Sequence, residues 1–100
     1  MKSLNEISNK FLYRVKENES LADISSKFSS PQGVIIFEND LQEEVYAGQV
    51  IIVPVVKGTP YKVKPFDTLF GIAKENGVSV EELKEKNKTE EIVVGQIIFI

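Results

Sequence analysis

Tyr61-Lys62-Val63-Lys64-Pro65-Phe66-Asp67-Thr68-Leu69-Phe70-Gly71-Ile72-Ala73 decides the fold, because its period changes partway along and because its opening has an echo upstream. Tyr61 to Lys64 alternates apolar with charged residues, the signature of a strand with one buried face. Leu69, Ile72 and Ala73 then fall on one helix face, Asp67 or Thr68 can cap that helix, and Asn76-Gly77 supplies a stop. Ser79 followed three residues later by Glu82 has the form of a capping box and predicts a second helix through about Lys86. The β-branched ending Ile97-Ile98-Phe99-Ile100, bounded by Gly95, predicts a closing strand. The order is β-α-α-β.

The echo is Tyr13-Arg14-Val15-Lys16, 48 positions before Tyr61-Lys62-Val63-Lys64. The same shift carries Ser20-Leu21 onto Thr68-Leu69, Ile24 onto Ile72 and Asn39 onto Asn87. Beyond Asn87 the shift is 47, as Gly48-Gln49 maps onto Gly95-Gln96, so the second copy is one residue shorter there. A repeat of this length indicates a supersecondary unit used twice. The predicted fold class is therefore α+β, with two tandem βααβ modules, each a two-stranded antiparallel sheet packed against two short helices. Module 1 is expected over 13–54, a linker over 55–60 and module 2 over 61–100. A leader over 1–12 is expected to be helical or disordered; Leu4, Ile7, Phe11 and Leu12 would share one helix side.

One segment sets local preference against the repeat. Gly33-Val34-Ile35-Ile36-Phe37 favours a strand, yet it stands where the second copy has its second helix. The repeat predicts a helix, with Ser30 as cap and Pro31 in its first turn. The expected core of module 1 is Val15, Leu21, Ile24, Phe28, Ile35, Ile36, Val50 and Ile52. That of module 2 is Val63, Leu69, Ile72, Leu83, Ile97 and Phe99.

Composition excludes several functions. Lys+Arg number 12 and Asp+Glu 15, a formal charge of −3 with no clustered basic face, which argues against nucleic acid as a partner. Without Cys or His, thiol nucleophiles, thiolate zinc sites and histidine bases are ruled out, and no metal or cofactor is expected. Neither a signal peptide nor a membrane span is legible, so cytoplasmic synthesis without membrane insertion is expected. Asp67 with Glu91 is a poor glycosidase pair, since such chemistry needs an enclosed cleft and a carboxyl group of raised pKa.

Taken in order, the strand, cap, helix and turn signals resemble the LysM domain twice over. The second copy does so through Tyr61 to Ala73, Gly77 to Leu83, Asn87 and Gly95-Gln96-Ile97-Ile98. The first does so through Tyr13 to Lys16, Ser20-Leu21, Ile24, Asn39, Tyr46 and Gly48 to Pro54. The resemblance implies non-catalytic binding of glycans containing N-acetylglucosamine, such as peptidoglycan or chitin. The sugar would lie in a shallow groove between the loop joining the first strand to the first helix and the loop leading into the last strand.

Carried over by position, the first-loop candidates are Asn18, Glu19, Ser20 and Leu21 in module 1 and Phe66, Asp67, Thr68 and Leu69 in module 2. Second-loop candidates are Asn39, Asp40, Leu41 and Val45, with Asn87, Lys88, Glu91 and Ile92 opposite. Asp67 and Thr68 are equally readable as helix caps and as ligand contacts. Phe66 stands where the family usually has glycine, so it either blocks the groove floor or offers a stacking ring. Backbone amides would serve the sugar's polar groups, while Ile92 or Val45 facing Leu69 or Leu21 would take its methyl group. A second reading makes the chain a protein-assembly module of a spore envelope or phage tail, with a protein partner and weak or no glycan binding. The expected site of action is a spore envelope or a cell wall.

Overall fold

The computed structural model describes residues 7–100. Strand β1 (Ile7–Arg14) leads to helices α1 (Leu21–Phe28) and α2 (Gln32–Asn39) and then to strand β2 (Val50–Val56). The second copy repeats this with β3 (Pro60–Lys62), α3 (Leu69–Asn76), α4 (Val80–Asn87) and β4 (Ile97–Phe99). β1 pairs antiparallel with β2, and β3 with β4, as two separate two-stranded sheets. Two βααβ modules result, as the repeat predicts.

β1 starts well before Tyr13. Its register sets Asn9 against Val55, Lys10 against Pro54 and Tyr13 against Ile51. Residues 7–12 are thus strand, and a helical or disordered leader is wrong for them; Leu4 and the rest of 1–6 lie outside the described residues. The cause lies in the segment expected as linker, since Val55 and Val56 prolong β2 and give the earlier residues a partner. The Phe11 ring meets Phe28 edge-on with centroids 5.0 Å apart. The connection between modules narrows to Lys57, Gly58 and Thr59.

Helix α2 forms despite its β-branched run because that run serves two apolar environments at once. Ile35 enters the module 1 core beside Val15, Ile24, Ile51 and Val53. Val34 points elsewhere and packs with Val56, Ile97 and Phe99 in a cluster shared by both modules. Burial on two helix faces outweighs a propensity difference worth tenths of a kcal/mol per residue. Ser30 is not the cap: Pro31 occupies that position with no side-chain cap bond, and the Ser30 hydroxyl donates to the Pro54 carbonyl at 2.7 Å.

The core differs from expectation by one step in the last strands. Ile51 and Val53, rather than Val50 and Ile52, face the interior of module 1, and Val50 is exposed. In module 2, Ile98 joins Val63, Ile72, Ala73 and Leu83, whereas Ile97 and Phe99 turn toward module 1. Alternation assigns opposite faces to neighbours on a strand, so one misplaced step exchanges the whole set. An all-apolar strand carries no alternation in its residue types from which to read that step, whether one face is open, as in β2, or both are buried, as in β4. Ile36, also expected inside, is exposed on the outer face of α2.

Candidate functional site

The first loop of each module is a tight turn closed by a carboxylate. The Glu19 N–H donates to the Lys16 carbonyl at 3.2 Å, and the Asp67 N–H to the Lys64 carbonyl at 3.1 Å. The third residue of each turn has positive φ: Asn18 at 60° and Phe66 at 72°. That is the position where such turns favour glycine. Phe66 adopts it with a fully exposed side chain, so its ring does not block the groove floor.

Glu19 and Asp67 hold these turns. Glu19 accepts from the Tyr13 hydroxyl at 2.8 Å and the Lys16 N–H at 2.9 Å. Asp67 accepts from the Tyr61 hydroxyl at 2.6 Å and the Lys64 N–H at 2.8 Å. Both carboxyl pKa values lie below the ordinary range, for Glu19 chiefly through the Lys16 backbone bond and for Asp67 chiefly through the Tyr61 hydroxyl. A lowered pKa is the opposite of what a general acid requires. Asp67 therefore closes its turn, and the cap of α3 is Thr68, whose hydroxyl accepts from the Gly71 N–H at 3.0 Å. In module 1, Ser20 and Asp23 form a reciprocal capping box.

In the second loops, Asn39 and Asn87 are clamps between helix and strand. The Asn39 amide donates to the Ile35 and Ile52 carbonyls and accepts from the Ile52 N–H at 2.7 Å. Asn87 repeats the pattern with Leu83 and Phe99, and at 1% exposure its side chain lies away from solvent. Asp40 and Lys88 follow as left-handed caps, each with φ 51°. Lys88 reaches across to module 1, its ammonium 4.8 Å from the Phe37 ring centroid. Glu91 is exposed, and its carbonyl accepts from the Thr89 hydroxyl at 2.5 Å.

The loops do approach each other as pairs. Leu21 and Val45 share the module 1 core with Leu41 packed against it, and Leu69 and Ile92 each pack against the module 2 core. Between the loops of module 1 lies a shallow depression of about 300 Å3 lined by Leu21, Ile36, Leu41, Gln42, Glu43 and Glu44. Glu44 spans it. One oxygen of its carboxylate accepts from the Leu21 N–H at 2.8 Å and from the Val45 N–H at 3.0 Å. The sequence does not single out Glu44 or Ile36 for the site: Ile36 reads as core, and the Glu44 bridge depends on a backbone N–H 23 residues away in the chain, which residue type alone does not bring to it.

Two repeats of strand, capped helix, second helix and strand, each with a helix N-terminus opposite the loop into its last strand, define a tandem of small binding modules. Residues 13–54 and 61–100 match the LysM domain, and the chain belongs to that family. LysM is a binding domain that enzymes carry as a separate part of the chain. Among its relatives is the Bacillus subtilis (strain 168) protein described as probable peptidoglycan endopeptidase LytE, 30% identical over 99 residues. That match covers 85% of this chain and 30% of LytE. Two solved spore cortex-lytic enzymes named SleL also match. The Bacillus cereus enzyme is 29% identical with TM-score 0.43, over 91% of this chain and 22% of that one. The Bacillus megaterium QM B1551 enzyme is 30% identical with TM-score 0.45, over 89% and 22%. The chain thus spans under a third of the length of these relatives.

Proposed function

We propose that the chain binds glycans containing N-acetylglucosamine, with peptidoglycan first and chitin-type oligomers as analogues, through the grooves between its paired loops and without catalysis. The observation that carries this reading is membership of the LysM family over both modules, together with a relative described as a peptidoglycan endopeptidase. The chemistry is consistent with it. An uncharged sugar amide needs backbone donors and a small apolar patch, and each groove has a helix N-terminus beside half-buried aliphatic side chains: Leu41 in module 1, Leu69 and Ile92 in module 2. The exposed Phe66 ring adds a face on which a sugar can stack. Glu19 and Asp67, each tied into its turn with a lowered carboxyl pKa, do not suit the role of a general acid.

Each hydrogen bond exchanged with water nets about 0.5–1.5 kcal/mol, so a single shallow groove binds weakly. The site of action in this reading is a cell wall or a spore envelope, with the chain as a targeting part. A pull-down on insoluble peptidoglycan and on chitin, followed by calorimetry with N-acetylglucosamine oligomers, tests the reading. Retention on peptidoglycan is expected. No retention and no heat at millimolar oligomer would remove it and leave the assembly reading, which capture of a defined envelope protein would then support.

A further inference from the structure

We propose that the two grooves are unequal: in module 1 the Glu44 carboxylate already occupies the backbone donors that a sugar amide would use, and module 2 is the groove left open. This rests on the glycan reading above. The Leu21 N–H is the first of α1, one of the helix-start donors with no partner inside the helix. The Val45 N–H belongs to the opposing loop. One Glu44 oxygen accepts from both, at 2.8 and 3.0 Å, and so bridges the two lips of the groove. The carbonyl oxygen of an N-acetyl group would ask for the same kind of donor pair.

The tethered carboxylate has three advantages over a sugar in solution. It bears a full charge, which strengthens its hydrogen bonds. It stands at the positive end of a helix. Its attachment to the chain gives it a high effective concentration. A weak ligand must displace it before it can bind.

Module 2 lacks this bridge. Glu91 matches Glu44 in the repeat, but its loop is one residue shorter, its side chain is exposed and its carbonyl is tied to Thr89. Thr68 caps the Gly71 N–H, and among the described residues nothing accepts from the Leu69 N–H. The donor that Glu44 covers in one copy is therefore uncovered in the other, although both sequences carry glutamate at that place.

The test is an amide NMR titration of the full chain with an N-acetylglucosamine hexamer. In the wild type, the Leu69 and Ile92 amides are expected to shift while Leu21 and Val45 stay in place. In Glu44→Ala, Leu21 and Val45 should begin to respond, with module 1 tightening about tenfold, the scale of one net hydrogen bond. If Glu44→Ala loses the fold of module 1, Glu44→Gln carries the test, since it keeps an oxygen on the bridge without its charge. Leu21 and Val45 should then respond at lower ligand concentration than in the wild type. An unchanged threshold, or Leu21 shifting together with Leu69 in the wild type, overturns the inequality and leaves the glycan reading standing. No shift in either module, in the wild type or the variants, overturns the glycan reading itself.

Discussion

Gly33 of α2 lies directly against the Asn87 carbonyl of α4: a Cβ at position 33 would sit 2.2 Å from that oxygen and 2.6 Å from the Lys88 carbonyl oxygen. This contact between the modules is possible only because the residue has no side chain. Around it, Val34, Val56, Ile97 and Phe99 form a buried cluster drawn from both copies. Each copy is near the lower size limit for a free-standing domain, and the shared cluster gives both additional buried apolar area.

Gly33→Ala tests that contact. Helix propensity alone favours alanine by about 1 kcal/mol. The obstacle, however, is backbone oxygen that no rotamer change can move aside, and overpacking of this kind costs about 1–3 kcal/mol. A net loss of stability is expected in denaturant unfolding, with the transition separating into two steps as the modules come apart. A variant as stable and as cooperative as the wild type would show that α2 and α4 do not meet this closely.

Phe66→Gly should act in the opposite direction. A bulky residue at φ 72° carries backbone strain of about 1–2 kcal/mol, and the fully exposed ring recovers none of it by packing. Glycine removes the strain but adds freedom to the unfolded chain, so a net gain of about 0.5–1 kcal/mol is expected. Asn18→Gly at the matching turn should change little, because asparagine tolerates this region. Thermal melts of the two variants side by side decide it; equal shifts would count against the strain argument.

The repeat made most of this architecture legible. Matching Tyr13 to Tyr61 and Asn39 to Asn87 was enough to assign a helix to Gln32–Asn39 against its own β preference. Two features could not be read that way. The inward face of Val50 to Val53 was hidden because an all-apolar strand lacks a polar face to mark the outside. The pairing of Val34 with Val56, Ile97 and Phe99 depends on the two copies docking, which a comparison of one copy with the other cannot show. At the candidate site, the turns and caps were visible as residue types. The roles of Asn39 and Asn87 as clamps, and of Glu44 as a bridge, depend on which backbone groups lie within 3 Å of them.

Acid should weaken the protein through the first-loop turns. Glu19 and Asp67 have folded pKa values below their ordinary 4.5 and 3.8. A depressed folded pKa contributes stability that is complete above the unfolded value and is lost as pH falls through the folded one. Stability should therefore hold steady down to about pH 5 and decline below it. Tyr61→Phe removes the largest cause of the Asp67 shift, so the Asp67 titration should move up toward 3.8 and the acid slope should shrink. The Tyr61 phenol is raised above 10.0, chiefly by Asp67, so its share is present below that pH and is lost as alkali titrates the folded phenol. Carboxyl NMR titrations of wild type and Tyr61→Phe read both; an unmoved Asp67 would deny the hydroxyl its role.

Asn87→Ala should be the most damaging polar substitution among the second-loop candidates. Its amide donates to the Leu83 and Phe99 carbonyls at 2.9 Å and accepts from the Phe99 N–H at 2.6 Å, all in buried surroundings. Alanine leaves the Phe99 N–H and carbonyl without these partners, and each buried unsatisfied group costs about 1–3 kcal/mol. A loss of about 2–4 kcal/mol is expected from denaturant midpoints. Asn39→Ala should cost less, because the matching bonds to Ile35 and Ile52 are only partly buried and water can replace them. If Asn87→Ala instead left stability untouched and abolished retention on peptidoglycan, Asn87 would be a ligand contact and its place as a clamp would have to be given up.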